Sequence, residues 1–172
     1  MKYIGLLSDT HGFLDEKIFR HFEHCDEIWH AGDIGSEDVS NRLAAFKPFK
    51  AVYGNIDSGD VRIEYPLDLF FHCEGVKVYM THIGGSPTKY PLRVKSEIEA
   101  FQPNIFICGH SHILRVVSDK AMNNMLYINP GAAGIHGFHH VRTIMRFKLD
   151  EGKISDVQVI ELGKRVEKPS IA

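Results

Sequence analysis

The 172-residue sequence has few cysteines and no long apolar segment. Cys25, Cys73 and Cys108 are odd in number and lack CxxC spacing, which argues against a disulfide framework and favours a reducing environment. No apolar run is long enough to span a bilayer, and the N-terminus lacks a signal-peptide cleavage site. We therefore expect a cytoplasmic protein that does not associate with a membrane.

The sequence also has no excess of charge of one sign. Twenty Lys and Arg residues oppose 22 Asp and Glu residues, for a net charge of −2 at pH 7, so the basic surface typical of nucleic-acid binding is absent. No repeat, linker or low-complexity tract divides the chain, and its length suits one domain. We predict a single domain over residues 1–172 that does not bind nucleic acid.

Three short apolar runs alternate with two helical patterns in the first half of the chain. The runs YIGLL, EIWHA and FKAVY are typical of strands. Between them, residues 15–25 carry apolar side chains at helical spacing, and Ser36 followed by Glu37 and Asp38 is typical of a helix N-terminus. The β-α-β-α-β order predicts a parallel sheet with right-handed crossovers.

The second half is richer in strands. LDLFFHC and VKVYMT flank Glu74-Gly75 and predict an antiparallel hairpin, and a helix is expected at about residues 91–101. Further strands are expected at NIFIC, ILRVVS and MLYIN, and in the pair RTIMRFKL and ISDVQVIEL. Two mixed sheets packed on each other, with helices outside, would accommodate all these strands.

Histidine is the abundant residue, with 11 copies, and side chains able to bind metals follow five of the apolar runs. Each alone has an ordinary explanation, such as a helix cap or a turn. However, ligands of open α/β sheets gather beyond the carboxyl ends of strands, so their repeated position favours one shared site. The seven residues are Asp9, His11, Asp33, Asn55, His82, His110 and His112.

This set of side chains predicts a metal centre. Two carboxylates, one amide oxygen and four imidazoles are too many for one tetrahedral ion, but they suit two ions that share a carboxylate. Mixed N and O donors favour Mn, Fe, Ni, Co or Zn over Mg or Ca, and we expect Mn. Paired ions promote in-line displacement at phosphorus, with a bridging hydroxide as the nucleophile. The sequence therefore predicts a metal-dependent phosphoesterase.

The motifs SDTHG, AGD, GN, TH, CGHSH and NPGA, in this order, resemble those of calcineurin-like metallophosphoesterases. The short length and the NPG motif resemble the small YfcE-type phosphodiesterases, a group that also includes vacuolar sorting protein 29 of retromer. The resemblance runs from about Lys2 to Gly131. It implies an α/β fold, a four-layer αββα sandwich of two mixed β-sheets flanked by helices, and phosphodiester hydrolysis.

The resemblance also implies two sets of metal ligands that share Asp33. The first set is Asp9, His11, Asp33 and His112. The second set is Asp33, Asn55, His82 and His110. The residues expected to take part in catalysis are Asp33, Asn55 and His82.

The sequence departs from the family pattern at two places. After the GN motif, many relatives carry a His that is thought to protonate the leaving group, whereas this chain has Ile56. After His82, many relatives read Gly-His, whereas this chain has Ile83 and Gly84. The expected ligand set is therefore complete, but the expected proton donor is missing.

Other residues are candidates for roles in the cleft. Asp57 is a candidate proton donor. Three histidines after NPGAAG either reach the cleft or lie on the surface: His136, His139 and His140. Three basic residues of the segments IDSGDVRIEYP and IGGSPTKYPLR either contact phosphate or are solvated charges: Arg62, Lys89 and Arg93.

An alternative function belongs to another class of protein. A protein-docking scaffold of the vacuolar sorting protein 29 type would carry the same fold with little or no catalysis. The complete ligand set argues against a metal-free scaffold, so we expect a small phosphoester substrate as the partner. Exposed strand edges are also compatible with a homodimer.

Overall fold

The computed structural model describes residues 1–166. Within them, ten strands form two sheets, and four α-helices connect strands. The predicted single domain also includes residues 167–172, which lie outside the described residues. The strands are β1 (Lys2–Leu7), β2 (Glu27–His30), β3 (Phe49–Ala51), β4 (Asp68–Cys73), β5 (Val76–Thr81), β6 (Ile105–Ile107), β7 (Arg115–Asp119), β8 (Met125–Asn129), β9 (Val141–Asp150) and β10 (Lys153–Lys164). The helices are α1 (Lys17–His21), α2 (Glu37–Phe46), α3 (Gly59–Glu64) and α4 (Leu92–Phe101), and a short 3-10 helix spans Lys120–Met122.

The first sheet contains the predicted β-α-β-α-β unit. Its strand order is β10-β9-β1-β2-β3; β1, β2 and β3 are parallel, and β9 runs antiparallel to β1. The second sheet has the order β4-β5-β6-β8-β7, with antiparallel strands at both edges. Both sheets are therefore mixed, as predicted.

The largest core lies between the two sheets. Leu6 and Trp29 from the first sheet pack in one cluster with Met80 and Ile107 from the second, and all four are fully buried. Side chains of this size contribute roughly 1.5–3 kcal/mol each when buried. This inner core holds the two sheets face to face.

Two outer cores lie beneath the helices. Ile18 of α1 and Leu43 of α2 pack with Ile28 on the outer face of the first sheet. Val94 of α4 packs with Phe106 on the second sheet. The four layers are thus helices, sheet, sheet and helices, which confirms the predicted αββα sandwich.

Two helices differ from the prediction. The helix predicted over residues 15–25 is limited to Lys17–His21, because the chain turns after it to enter β2 and Phe22 packs flat against Gly5, where a Cβ would lie 2.7 Å from its ring. Helix α3 was not predicted, since its six residues are too few to show a helical pattern. No helix within residues 1–166 is long and apolar enough to cross a membrane.

Candidate metal centre

The structure brings the seven predicted ligand residues to one edge of the sandwich, in two groups. Asp9, His11 and His112 form the first group. Asp33, His82 and His110 form the second group, and in each group one N or O atom per residue lies within 4.8 Å of the others. Asn55 joins the second group, since its Oδ1 lies 3.0 Å from Nδ1 of His110.

The two groups are adjacent because their carboxylates lie between them. Asp33 Oδ2 is 3.3 Å from Nε2 of His11 and 3.1 Å from Nε2 of His82. Asp9 Oδ1 is 3.1 Å from Nε2 of His112 and 3.7 Å from Nε2 of His82. Each carboxylate therefore lies near imidazoles of both groups.

Buried polar atoms without partners provide the best test of whether a metal fits here. In residues 1–166 four buried side-chain atoms have no hydrogen-bond partner, and three belong to the two groups: Asp9 Oδ1, His11 Nε2 and His82 Nε2. Leaving such an atom unpaired costs about 1–3 kcal/mol. Divalent transition metals coordinate carboxylate oxygen and imidazole nitrogen, so bound ions would satisfy all three atoms.

Hydrogen bonds behind the ligands fix which atoms face the site. The Ala31 carbonyl accepts a hydrogen bond at 2.8 Å from Nδ1 of His82, so this ring nitrogen carries a proton and Nε2 is the atom that faces the Asp33 carboxylate, 3.1 Å from its Oδ2. Asp9 Oδ2 accepts from Ser8 Oγ at 2.7 Å and from the His110 amide at 3.1 Å. Asp9 and His82 thus each have one atom held by a hydrogen bond and another without a partner, the usual support of a metal ligand.

The backbone at the site adopts an uncommon conformation. Five of the seven residues have positive φ angles, between 47° and 70°: Asp9, His11, Asp33, His110 and His112. Residues other than glycine seldom adopt this region, at a cost of about 1–3 kcal/mol each, and such strain clusters at functional sites. Apart from the spacing of D-x-H and H-x-H, nothing in the sequence indicates this conformation.

Two glycines allow close packing against the carboxylates. A Cβ at Gly54 would lie 2.1 Å from Oδ1 of Asp33. A Cβ at Gly109 would lie 2.2 Å from Ser8 Oγ and 2.7 Å from Oδ2 of Asp9. Any side chain at these positions would displace a proposed ligand, which explains the glycine in the GN and GH motifs.

The charges of the two groups depend on each other. Burial opposes ionisation of Asp9 and Asp33, but the neighbouring imidazoles outweigh burial and hold the pKa of both carboxyls well below the usual range. Asp33 and then Asp9 raise the pKa of His11 to about 9. The two carboxylates thus favour positive charge beside them. In the metal-free protein a protonated imidazole supplies this charge, and bound metal ions would supply it instead.

Comparison with known proteins identifies the family. The calcineurin-like phosphoesterase superfamily domain matches residues 1–152. This chain belongs to the calcineurin-like phosphoesterase superfamily. Membership places it among phosphoester hydrolases that use divalent metal ions and confirms the resemblance of its motifs.

Individual relatives agree with this assignment. A probable metallophosphoesterase of Methanothermobacter thermautotrophicus is 27% identical over 168 residues, covering 95% of this chain and 94% of that protein. A structure described as a novel archaeal phosphodiesterase aligns with a TM-score of 0.70 at 23% identity, covering 93% of this chain and 99% of that one. Vps29 of Entamoeba histolytica, complexed with Zn²⁺, aligns with a TM-score of 0.71 at 12% identity, covering 95% and 99%. The two structures show that the fold is shared.

Asp57 of this phosphoesterase has a structural role. It is buried, and its Oδ2 accepts hydrogen bonds from the amides of Ile34 and Gly54 at 3.1 and 2.8 Å. Its Oδ1 accepts from the Gly35 amide at 2.8 Å. Both oxygens are therefore occupied in joining the loops after β2 and β3, and the structure does not support Asp57 as a proton donor.

Asn129 of the NPGA motif supports the loop that carries His110 and His112, a role that the sequence did not reveal. Its Nδ2 donates at 3.0 Å both to the Gly109 carbonyl and to Ser111 Oγ. Its Oδ1 accepts from the Gly131 amide at 3.0 Å. The motif therefore helps to position the GHSH loop.

The histidines after NPGAAG lie at different places. His136 is exposed, stacks on His11 with ring centroids 4.7 Å apart, and lines a cavity of about 480 Å³ over the ligand groups. His139 also lines this cavity and donates through Nε2 to the Gly134 carbonyl at 2.8 Å. His140 lies in a separate surface depression. Ile56 also lines the cavity and is 44% exposed.

Proposed function

We propose that this chain is a phosphodiesterase that uses two divalent transition-metal ions, preferably Mn²⁺. The observation that carries the proposal is the presence of three buried atoms without hydrogen-bond partners within the two groups: Asp9 Oδ1, His11 Nε2 and His82 Nε2. The first ion would be held by Asp9, His11, Asp33 and His112. The second ion would be held by Asp33, Asn55, His82 and His110.

The ions would polarise phosphoryl oxygens and lower the pKa of the attacking water. Asp33 and His82 are proposed to position the ions, since both are buried and each is fixed by a backbone contact. Asn55 is exposed beside His110, where its amide group can orient the phosphoryl group. The similar fold of the archaeal phosphodiesterase supports diesters as the substrate class.

The cavity over the ligand groups also suggests which esters react. Ile56 lines this cavity and cannot donate a proton, so a leaving group would depart largely unprotonated. General acid catalysis contributes about 10²–10⁴-fold where it operates. We therefore expect fast hydrolysis of aryl diesters, whose leaving groups are acidic, and slow hydrolysis of alkyl diesters.

Metal analysis and turnover assays on the same preparation test the proposal. Protein reconstituted with Mn²⁺ should carry between one and two ions per chain and hydrolyse bis(p-nitrophenyl) phosphate. Asp38→Asn, at an exposed position of α2, is the matched control for substitution of a carboxylate. Bound metal without turnover of any phosphoester would favour the docking scaffold of the Vps29 type. Absence of bound metal would refute the metal centre.

A further inference from the structure

A second cavity, of about 230 Å³, lies on the side of the metal centre formed by Asn55 and His82. Arg62 and Arg93 also line it. Within residues 1–166, the side chains that line this cavity include these two guanidinium groups and no carboxylate. The cavity therefore places two guanidinium groups beside two proposed metal ligands.

Arg62 is held in place by neutral groups. Its Nε donates to the carbonyl of Asp57, and its Nη2 lies 3.4 Å from the carbonyl of Asn55. Its guanidinium lies 4.7 Å from the centre of the Tyr53 ring. Because these contacts are made with carbonyls and an aromatic face, the charge of Arg62 is oriented without being neutralised by them.

Arg93 is oriented by a shared carboxylate. Its Nη1 pairs with Oδ2 of Asp68 at 2.5 Å, while Oδ1 of Asp68 accepts from the Tyr79 hydroxyl at 3.1 Å. A guanidinium has five N–H donors in a planar fork, so this pairing leaves donors of Arg93 for a ligand. Two exposed arginines, one from α3 and one from α4, are thus oriented by contacts within the protein.

We propose that this cavity binds a second phosphate group of the substrate, while the ester that is cleaved lies at the metal centre. This inference rests on the proposed phosphodiesterase function. Guanidinium groups match the geometry of phosphate and bind it through paired, charge-assisted hydrogen bonds. The preferred substrates are therefore phosphodiesters that carry an additional phosphate. Lys89, the other basic residue that the sequence suggested for phosphate contact, is not part of the lining of this cavity.

A matched pair of substrates tests the proposal. Thymidine 5′-(p-nitrophenyl phosphate) and its 3′-phosphorylated form differ only in the second phosphate. For the wild-type, Mn²⁺-loaded protein, kcat/KM should be about 10–100-fold higher for the 3′-phosphorylated form, since hydrogen bonds to charged groups contribute about 1.5–3 kcal/mol. Arg62→Gln and Arg93→Gln should each reduce this ratio toward one, and the ratio cancels any effect that the substitutions have on both substrates alike.

Arg42→Gln is the control, because Arg42 lies on α2, where it pairs with Glu16, and does not line the cavity. A ratio that is near one in the wild type, or unchanged in both cavity variants, would overturn the second phosphate site and leave the phosphodiesterase proposal intact. Absence of turnover of either substrate would instead overturn the phosphodiesterase proposal.

Calorimetry separates binding from catalysis. Thymidine 3′,5′-bisphosphate should bind the Mn²⁺-loaded protein about 10-fold or more tightly than thymidine 5′-monophosphate, and the cavity variants should lose this difference. Equal affinity of the wild type for the two nucleotides would refute the site even in a protein without turnover. Retention of the difference in both variants would show that the second phosphate binds elsewhere.

Discussion

Strand β2 has a buried carboxylate near each end, and the two differ in their partners. Glu27, at its first residue, receives hydrogen bonds from three groups: Lys2 Nζ, Lys50 Nζ and Trp29 Nε1. Asp33, three residues after the end of the strand, receives one hydrogen bond from the Ile56 amide and otherwise faces imidazoles.

The two carboxylates also differ in their backbone conformation and in whether polar atoms around them lack hydrogen-bond partners. Glu27 lies within a regular strand, and neither of its oxygens is among the unpaired atoms. Asp33 has a φ of 54°, and the nearby Nε2 atoms of His11 and His82 lack partners. A carboxylate paired with permanent cations stabilises the fold, whereas one that faces unpaired imidazoles in a strained loop retains the capacity to bind metal.

The largest effect is expected for Asp33→Asn. Loss of the shared charge weakens both proposed sites at once and leaves two cations less compensated, so we expect a loss of about 100-fold or more in the affinity of each site for Mn²⁺, since even the supporting partners of ligands contribute 10–100-fold. Titration with Mn²⁺ measures this. Two sites of near wild-type affinity in Asp33→Asn would refute the shared role.

Glu27→Gln should instead lower stability and leave metal binding unchanged. The substitution removes an ionised acceptor from a buried network, so the free energy of unfolding should fall by about 2 kcal/mol. Chemical denaturation at pH 7 measures the change. An altered Mn²⁺ stoichiometry in this variant would remove the distinction between the two carboxylates.

The contribution of Glu27 to the free energy of unfolding should depend on pH. Burial raises the pKa of Glu27, but Lys2, Lys50 and Trp29 outweigh it and lower the pKa from 4.5 to about 2. Its contribution to stability is therefore complete above about pH 4.5 and is lost as the pH falls toward 2. The stability difference between wild type and Glu27→Gln should shrink over this range. A difference that stays constant from pH 6 to pH 3 would contradict the assignment.

Substitution of His82 and of His110 tests whether a buried histidine contributes more to metal affinity than an exposed one. His82 is buried and tied to Ala31, whereas His110 is exposed. His82→Gln should weaken the binding of the second ion about 10-fold more than His110→Gln, because it also disturbs the partner of the Ala31 carbonyl. Mn²⁺ titration of both variants measures this, and equal losses would contradict it.

The smallest effect concerns Ile56, whose amide holds Asp33. Ile56→His should raise kcat/KM about 10-fold on diesters with poor leaving groups and less on nitrophenyl diesters, because an imidazole would supply the missing proton. Rates across diesters of graded leaving-group pKa measure this. A wild-type rate that barely depends on leaving-group pKa, with chemistry rate-limiting, would show that another residue, such as His136, already supplies the proton.

Regular elements with clear patterns were predicted well. The β-α-β-α-β unit and the hairpin of β4 and β5 follow from apolar runs separated by turn residues and a helix cap. Helix α3 was missed and α1 was predicted too long, since short helices depend on packing more than on periodicity. Asp57 was a candidate proton donor because the sequence indicates its proximity to Asn55 and not the direction of its side chain.

The sequence by itself determined the ligand types and their positions after strands. Because parallel strands place their carboxyl ends at one edge, Asp9, Asp33 and His82 were expected to meet there. Only the tertiary structure decided which atoms face one another, since hydrogen bonds such as that from His82 to Ala31 fix the free nitrogen. The second cavity likewise depends on α3 and α4, whose arginines are distant in sequence and meet only when both helices pack beside the metal centre.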